Sequence, residues 1–204
     1  MARPKLYDYL KRLLDVVIGL CALVVLSPVL LLVAVLVLIR MGRPVFFRQE
    51  RPGRDGKVFT LYKFRTMAVS QTNDVSAVAS DGVRLTRLGA VLRSTSLDEL
   101  PELFNIVRGD MSLVGPRPLL MEYLSLYSPE QARRMEVRPG LTGLAQISGR
   151  NALSWDERFK LDVQYVDSRS FALDCRIMLR TIAAVVTRKG ISDQSATMTP
   201  FQGN

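Results

Sequence analysis

The stretch VVIGLCALVVLSPVLLLVAVLVLI, residues 16–39, decides the architecture of this chain, because it holds 24 consecutive residues without a charge. A membrane-spanning helix needs about 20 such residues. Its length and charged flanks set it apart from a cleaved signal peptide, and no small-x-small cleavage site follows it. Ser27-Pro28 interrupts the stretch at its centre, leaving 11 residues on each side. Proline removes one backbone N–H and crowds the preceding turn, so a kink is expected there. Each half then measures about 16 Å, roughly half of a ~30 Å hydrocarbon core. Lys5, Lys11 and Arg12 precede the stretch, and Arg40, Arg43, Arg48, Arg51 and Arg54 follow it. Cations at both ends fit a re-entrant hairpin, residues 1–44, that enters and leaves on the cytoplasmic face. A straight span with a proline kink is the competing arrangement.

Outside this segment the chain is polar and basic. Its 204 residues suit one catalytic-size domain, and 28 Lys+Arg against 19 Asp+Glu give a formal charge of +9. That balance calls for an anionic partner: nucleic acid, a phospholipid surface or a phosphorylated substrate. There is no histidine, which removes Ser-His-Asp and Cys-His nucleophile systems, histidine zinc sites and histidine proton relays. Acid–base chemistry falls to carboxylates, Lys or Tyr. Cys21 and Cys175 are far apart and form no CxxC motif, so they read as buried free thiols.

After the apolar stretch, Val45–Phe47 and Val58–Tyr62 are β-rich and RPGRDG between them supplies a turn, which reads as a β-hairpin. Residues 68–82 read as a surface loop. Ser128-Pro129-Glu130-Gln131 and Ser154-Trp155-Asp156-Glu157 each carry the signature of a helix start. VRPGLTGLAQISGRN between them reads as irregular. A last helix, about Asp174–Lys189, sets Ile177, Met178, Ile182, Val185 and Val186 on helical spacing beside Arg176, Arg180, Arg188 and Lys189. Such a helix suits an anionic membrane surface or a packed core with a solvated basic face. The expected fold is α+β, mainly helical with a small β-hairpin, a re-entrant membrane helix and amphipathic interfacial helices. A catalytic domain spans 45–191, and 192–204 form a flexible tail.

The chemistry concentrates in RSTSLDELPELFN, residues 93–105. Ser96-Leu97-Asp98-Glu99 matches a capping box, which would make both carboxylates structural. The surroundings point elsewhere. Arg93 precedes the pair, and Arg117 follows between Pro116 and Pro118, which restrict where its guanidinium points. Lys63 and Arg65 flank Phe64 on an expected strand and so share a face. Rigid arginines hold phosphate oxygens well. A carboxylate among them can ligate Mg²⁺ or attack phosphorus.

KRLLDVVIGLCALVVLSPVLLL, RPGRDGKVFTLYKFRTM, RSTSLDELPELFNIVRGDMSLVGPRPLL and VRPGLTGLAQISGRNALSWDERFKLDVQYVD together resemble the bacterial sugar transferases. These are monotopic phosphoglycosyl transferases, and the small PglC-like members are nearest. The resemblance runs from about Lys11 to Ile191. It implies transfer of a sugar-1-phosphate from a UDP-sugar, expected to be an N-acetylated amino sugar, to polyprenol (undecaprenyl) phosphate with release of UMP, at the cytoplasmic face of a bacterial inner membrane. It implies that Asp98 is the nucleophile and forms a covalent phosphosugar intermediate, with Mg²⁺ required. Glu99 then supports the metal or takes the proton from the lipid phosphate. Arg93 and Arg117 correspond to arginines near the phosphates, with Lys63 and Arg65 beside them, and Ser27-Pro28 to the break in a re-entrant helix. A homodimer is among the assemblies it allows. Leu144 departs from the family pattern, which often has Trp in the GLTGWAQ stretch. The competing reading is an anchored binding protein for anionic lipid or nucleic acid, without turnover. Nucleic acid is not expected as a partner, because that reading gives the acidic pair no role.

Overall fold

Helix α1 (Leu6–Val25) and helix α2 (Ser27–Met41) meet at Leu26 and bend by 62°. The break falls where the Ser-Pro pair placed it. Pro28 has no N–H to give the carbonyl of Val24 one turn back, and Ser27 Oγ donates to that carbonyl at 2.8 Å in its place. Backbone bonds continue on either side, Leu26 N to Ala22 O and Leu30 N to Leu26 O, both 2.8 Å. Among the described residues, which are 6–68, 84–149, 153–187 and 200–203 of this computed structural model, no single helix is long and apolar enough to cross a membrane.

Each half buries only a narrow stripe at i, i+4 spacing: Asp15 and Gly19 on α1, Val33 and Val37 on α2. Leu13, Val17, Val24, Leu31, Leu32 and Ile39 remain exposed. That is more contiguous apolar surface than a soluble monomer ordinarily leaves to water. Lys11 and Arg12, just before the apolar stretch, face the protein. Arg12 donates to the carbonyls of Ile106 (2.6 Å) and Val107 (2.8 Å), and Lys11 pairs with Asp174 at 2.8 Å.

Strands β1 (Phe46–Pro52) and β2 (Val58–Phe64) form the expected antiparallel hairpin, in register from Phe46↔Phe64 to Pro52↔Val58. Asp55 and Gly56 turn the chain with φ of 55° and 74°. The strands run beyond the expected cores because β2 buries Phe59, Leu61 and Phe64. That leaves the polar RQER of β1 to pair on an open face. The expected loop 68–82 lies, apart from Ala68, outside the described residues.

Helix α3 (Arg87–Ser94) was not marked by the sequence pattern. Thr86 caps it, accepting from Gly89 N at 2.9 Å, and a Cβ on Gly89 would meet the carbonyl of Thr66 at 1.9 Å. Only glycine lets α3 lie this close to the end of β2. A short 3-10 turn, Leu97–Glu99, leads into α4 (Glu102–Arg108). Ser96 adopts a left-handed conformation (φ 56°) and makes no side-chain cap, so the capping box its sequence matches, the competing structural reading, does not form.

Strand β3 (Ser112–Val114) pairs in parallel with β4 (Gly140–Thr142), so the segment read as irregular carries a strand. Gly140 makes this approach possible, since a Cβ there would meet Gly115 N at 2.0 Å. Helix α5 (Pro129–Ala132) and helix α7 (Trp155–Ser168) both start with the capping boxes expected of Ser128 and Ser154. Between them, α6 (Leu144–Ser148) follows β4. Helix α8 (Phe171–Thr187) buries Ile177 and leaves Leu179 and Ile182 exposed beside Arg176 and Arg180. Arg188, Lys189 and the side chain of Val186 lie outside what is described. Both cysteines are free as expected but exposed rather than buried, on outward faces of α1 and α8.

The first and last helices are tied by a polar knot. Asp174 accepts from Tyr165 (2.8 Å) at one oxygen and from Tyr7 (2.7 Å) and Lys11 (2.8 Å) at the other. Asp15 accepts from Leu113 N (3.0 Å), and the Tyr165 hydroxyl also lies 3.0 Å from Val114 O, so the knot grips β3. Of the segment expected as a tail, 200–203 are described. Phe201 is buried there among Tyr123, Trp155 and Phe159.

Candidate active site

Asn105 stitches α4 to β2, donating to Thr60 O (2.7 Å) and accepting from Tyr62 N (3.2 Å). That fixes Lys63 against the acids that begin α4. Lys63 Nζ lies 2.6 Å from Glu99 Oε1 and 3.1 Å from Glu102 Oε1. Arg117 Nη2 reaches the same Glu99 oxygen at 2.7 Å. Arg93 projects from α3, its Nε donating to Thr66 Oγ1 at 3.1 Å. Asp98, Glu99, Lys63, Arg93 and Arg117 all border one cavity of about 2010 Å³.

The two adjacent acids are held differently. Burial works against ionising Glu99, but Arg117 and Lys63 outweigh it and keep its carboxyl well below the usual range. Asp98 is pushed up by burial and by Glu99, against the pull of Lys63, Arg93 and Arg117. Among the described residues no hydrogen bond or ion pair engages the Asp98 carboxylate directly. A third acid, Glu102, is 2 % exposed and is pushed up to about 7, by burial first, with Lys63 opposing and Glu99 adding.

Four of the expected residues therefore converge with Asp98 on one opening: Glu99, Lys63, Arg93 and Arg117. Arg65 borders the same cavity, but its guanidinium is engaged by backbone carbonyls. Strand β2 ends at Phe64, and Arg65 turns to the C-terminus of α2, donating to the carbonyls of Gly42 (2.8 Å), Arg43 (3.1 Å) and Met41. It satisfies carbonyls that a helix end leaves unpaired. Ser27 and Pro28 lie at the bend, whose residue Leu26 borders the cavity. Glu102 was missed, although its place three residues after Glu99 was the available signal, since that spacing puts two side chains on one helical face. Leu144 is part-buried against the cluster of Val114, Tyr165 and Ile177.

No group of three or more His, Cys, Asp or Glu that would hold a metal ion unaided occurs among the described residues. Two adjacent carboxylates fit Mg²⁺, which is commonly held by one or two of them together with substrate phosphates.

An acid pair set among cations thus borders one cavity, with a bent apolar helix pair beside it. Residues 6–188 match the bacterial sugar transferase family, and the chain belongs to it. It is 52% identical over 182 residues to the uncharacterized sugar transferase EpsL of Bacillus subtilis, covering 89% of this chain and 90% of that one. It is 40% identical to the UDP-glucose:undecaprenyl-phosphate glucose-1-phosphate transferase of Caulobacter vibrioides, over 88% of this chain and 71% of that one. It is 37% identical to the undecaprenyl-phosphate galactose phosphotransferase of Salmonella typhimurium, covering 89% of this chain but 41% of that larger protein.

Proposed function

We propose that the protein transfers a sugar-1-phosphate from a UDP-sugar to polyprenol phosphate through a covalent intermediate on Asp98. The observation that carries this reading is the asymmetry of the acid pair: Glu99 is engaged by two cations, while the buried Asp98 carboxylate has no direct partner among the described residues. An oxygen of Asp98 attacks the sugar-bearing β-phosphorus, the bond from that phosphorus to the bridging oxygen breaks, and the electron pair leaves with UMP. A phosphate oxygen of the polyprenol phosphate then attacks the same phosphorus, and the aspartyl–phosphorus bond breaks to restore the Asp98 carboxylate. Arg117, Lys63 and Arg93 offset charge on the transferring phosphoryl group.

Glu99 held as the anion is a poor proton acceptor. Its part is to orient Lys63 and Arg117 and to offer its other oxygen, with Asp98, to Mg²⁺. A phosphate monoester with a second pKa near 6 is largely dianionic at neutral pH and attacks without a base. Mg²⁺, when bound, supplies charge neutralisation on the diphosphate. The same cavity is also lined by Leu26, Phe46, Leu120, Met178, Ile182 and Val185, which suits an isoprenoid acceptor. The α1–α2 pair enters the bilayer re-entrantly from the cytoplasmic face, with α8 lying at the interface. Their exposed apolar surfaces support this placement.

The test is intact-protein mass after incubation with Mg²⁺ and a panel of UDP-sugars, without acceptor, beside Asp98→Asn. The panel spans N-acetylated amino sugars, expected from the resemblance, and the glucose and galactose donors that the named relatives use. A sugar-phosphate adduct on wild type alone, with UMP released, supports the reading and names the donor. No adduct and no UMP from any donor, even with polyprenol phosphate added, rejects it in favour of a binding protein.

A further inference from the structure

Arg117 lies between two prolines, so the reach of its guanidinium toward Glu99 depends on where its own backbone sits. A second arginine holds that backbone from behind. Arg134, 4 % exposed, donates Nη2 to the carbonyl of Arg117 at 2.7 Å. The same Nη2 and the neighbouring Nε donate to Asp162 Oδ2 at 2.7 and 3.0 Å. Nη1 donates to the Tyr127 hydroxyl at 3.1 Å, and the guanidinium lies over the rings of Tyr127 and Phe159. Asp162, on α7, is 2 % exposed. The other side of the segment is closed by backbone, because a Cβ on Gly115 would meet Arg138 O at 2.4 Å.

We infer that Arg134 and Asp162 are positioning residues that act through Arg117, holding its backbone carbonyl and so the place from which its side chain reaches Glu99 and the donor diphosphate. The pair makes no hydrogen bond or ion pair to either acid of the site among the described residues, although Asp162 borders the same cavity. A neutral donor in place of Arg134 would leave Asp162 buried as an unpaired anion, and a point charge would lack the planar fork that serves a carboxylate and a carbonyl together. The inference rests on the proposed function in one respect, that Arg117 grips a diphosphate.

The test is a double-mutant cycle of Arg134→Lys and Arg117→Gln on the full chain in lipid nanodiscs, read by calorimetric affinity for UDP and by Tm. Arg134→Lys keeps the charge opposite Asp162 but cannot span both acceptors. It is expected to weaken UDP by about tenfold when Arg117 is present and by less than about twofold when it is Gln. Equal weakening in both backgrounds overturns the inference, as does a lower Tm with UDP affinity unchanged. A wild type that binds no UDP overturns it too. Where Arg134→Lys does not fold, Asp162→Asn enters the same cycle with the same expectations. Release of UMP from UDP-sugars, followed in the same preparations, decides the proposed transfer separately: its absence rejects that reaction, while the UDP cycle still rules on Arg134.

Discussion

Asp174 in the knot and Asp98 in the cavity are equally buried, 7 % and 8 % exposed. Both sit among cations, yet one has both oxygens occupied by Tyr165, Tyr7 and Lys11. The other has cations near it and no direct partner among the described residues. A buried carboxylate with every lone pair engaged lowers the energy of the fold and offers nothing to a ligand. A buried carboxylate left open raises the energy of the fold and is poised for one. The difference separates structure from chemistry more sharply than charge or burial does.

Substitution at the two aspartates should therefore move different observables. Asp98→Asn is expected to lower turnover by roughly 10³-fold or more and to abolish any covalent adduct, with Tm unchanged or slightly raised. A lower Tm with turnover intact would put Asp98 on the structural side. Glu99→Gln, which releases Lys63 and Arg117 from their shared oxygen, should cost about 10²-fold in kcat/KM for the donor. An equal loss at the knot would erase the contrast. Asp174→Asn breaks the pair with Lys11 and is expected to destabilise by about 3 kcal/mol in denaturant titration, while the folded fraction keeps its donor KM.

A subtler effect follows from Glu102. Its folded pKa of about 7 lies above the ordinary value of 4.5. Between those values the folded chain binds the proton more tightly than the unfolded chain, so stability is fullest at the acid end and falls as pH rises through that window. With no histidine in the chain, few other side chains titrate there. Glu102→Gln should flatten the fall in stability between pH 5 and 7.5, an effect of about 2 kcal/mol followed by Tm across that range. The smallest effect belongs to Arg133, next in sequence to Arg134 but at the surface with Glu130, Glu136 and Asp167. Arg133→Ala should leave Tm nearly where it was, because exposed pairs contribute little.

Features that depend on a few neighbouring residues could be read from the sequence. The break at Ser27-Pro28, the hairpin and the capping boxes at Ser128 and Ser154 are local, and so is the stiffness around Arg117. The convergence of Lys63, Arg93 and Arg117 on the acid pair was read from residue type and family likeness. What escaped depends on where a side chain goes once its element ends. Arg65 differs from Lys63 by two positions on one strand face, but β2 stops between them and the open carbonyls of α2 take the guanidinium. Ser96 matches a capping box letter for letter, yet its backbone is left-handed and its side chain makes no cap. Glu102 and Arg134 look like ordinary surface charges, and their burial is set by elements far along the chain. The close approach of Gly140 to Gly115 joins two strands that neither segment announces.

The tie between Tyr7 and Asp174 spans 167 positions. A ribosome adding about 5–20 residues per second needs roughly 8–33 s to cover that distance. For most of that interval α1 is already made, while Lys11 and Tyr7 lack the carboxylate that will receive them. Closure onto the bent pair is therefore stepwise: α4 and β3 can engage Arg12 and Asp15 first, and the knot at Asp174 forms only when α8 arrives.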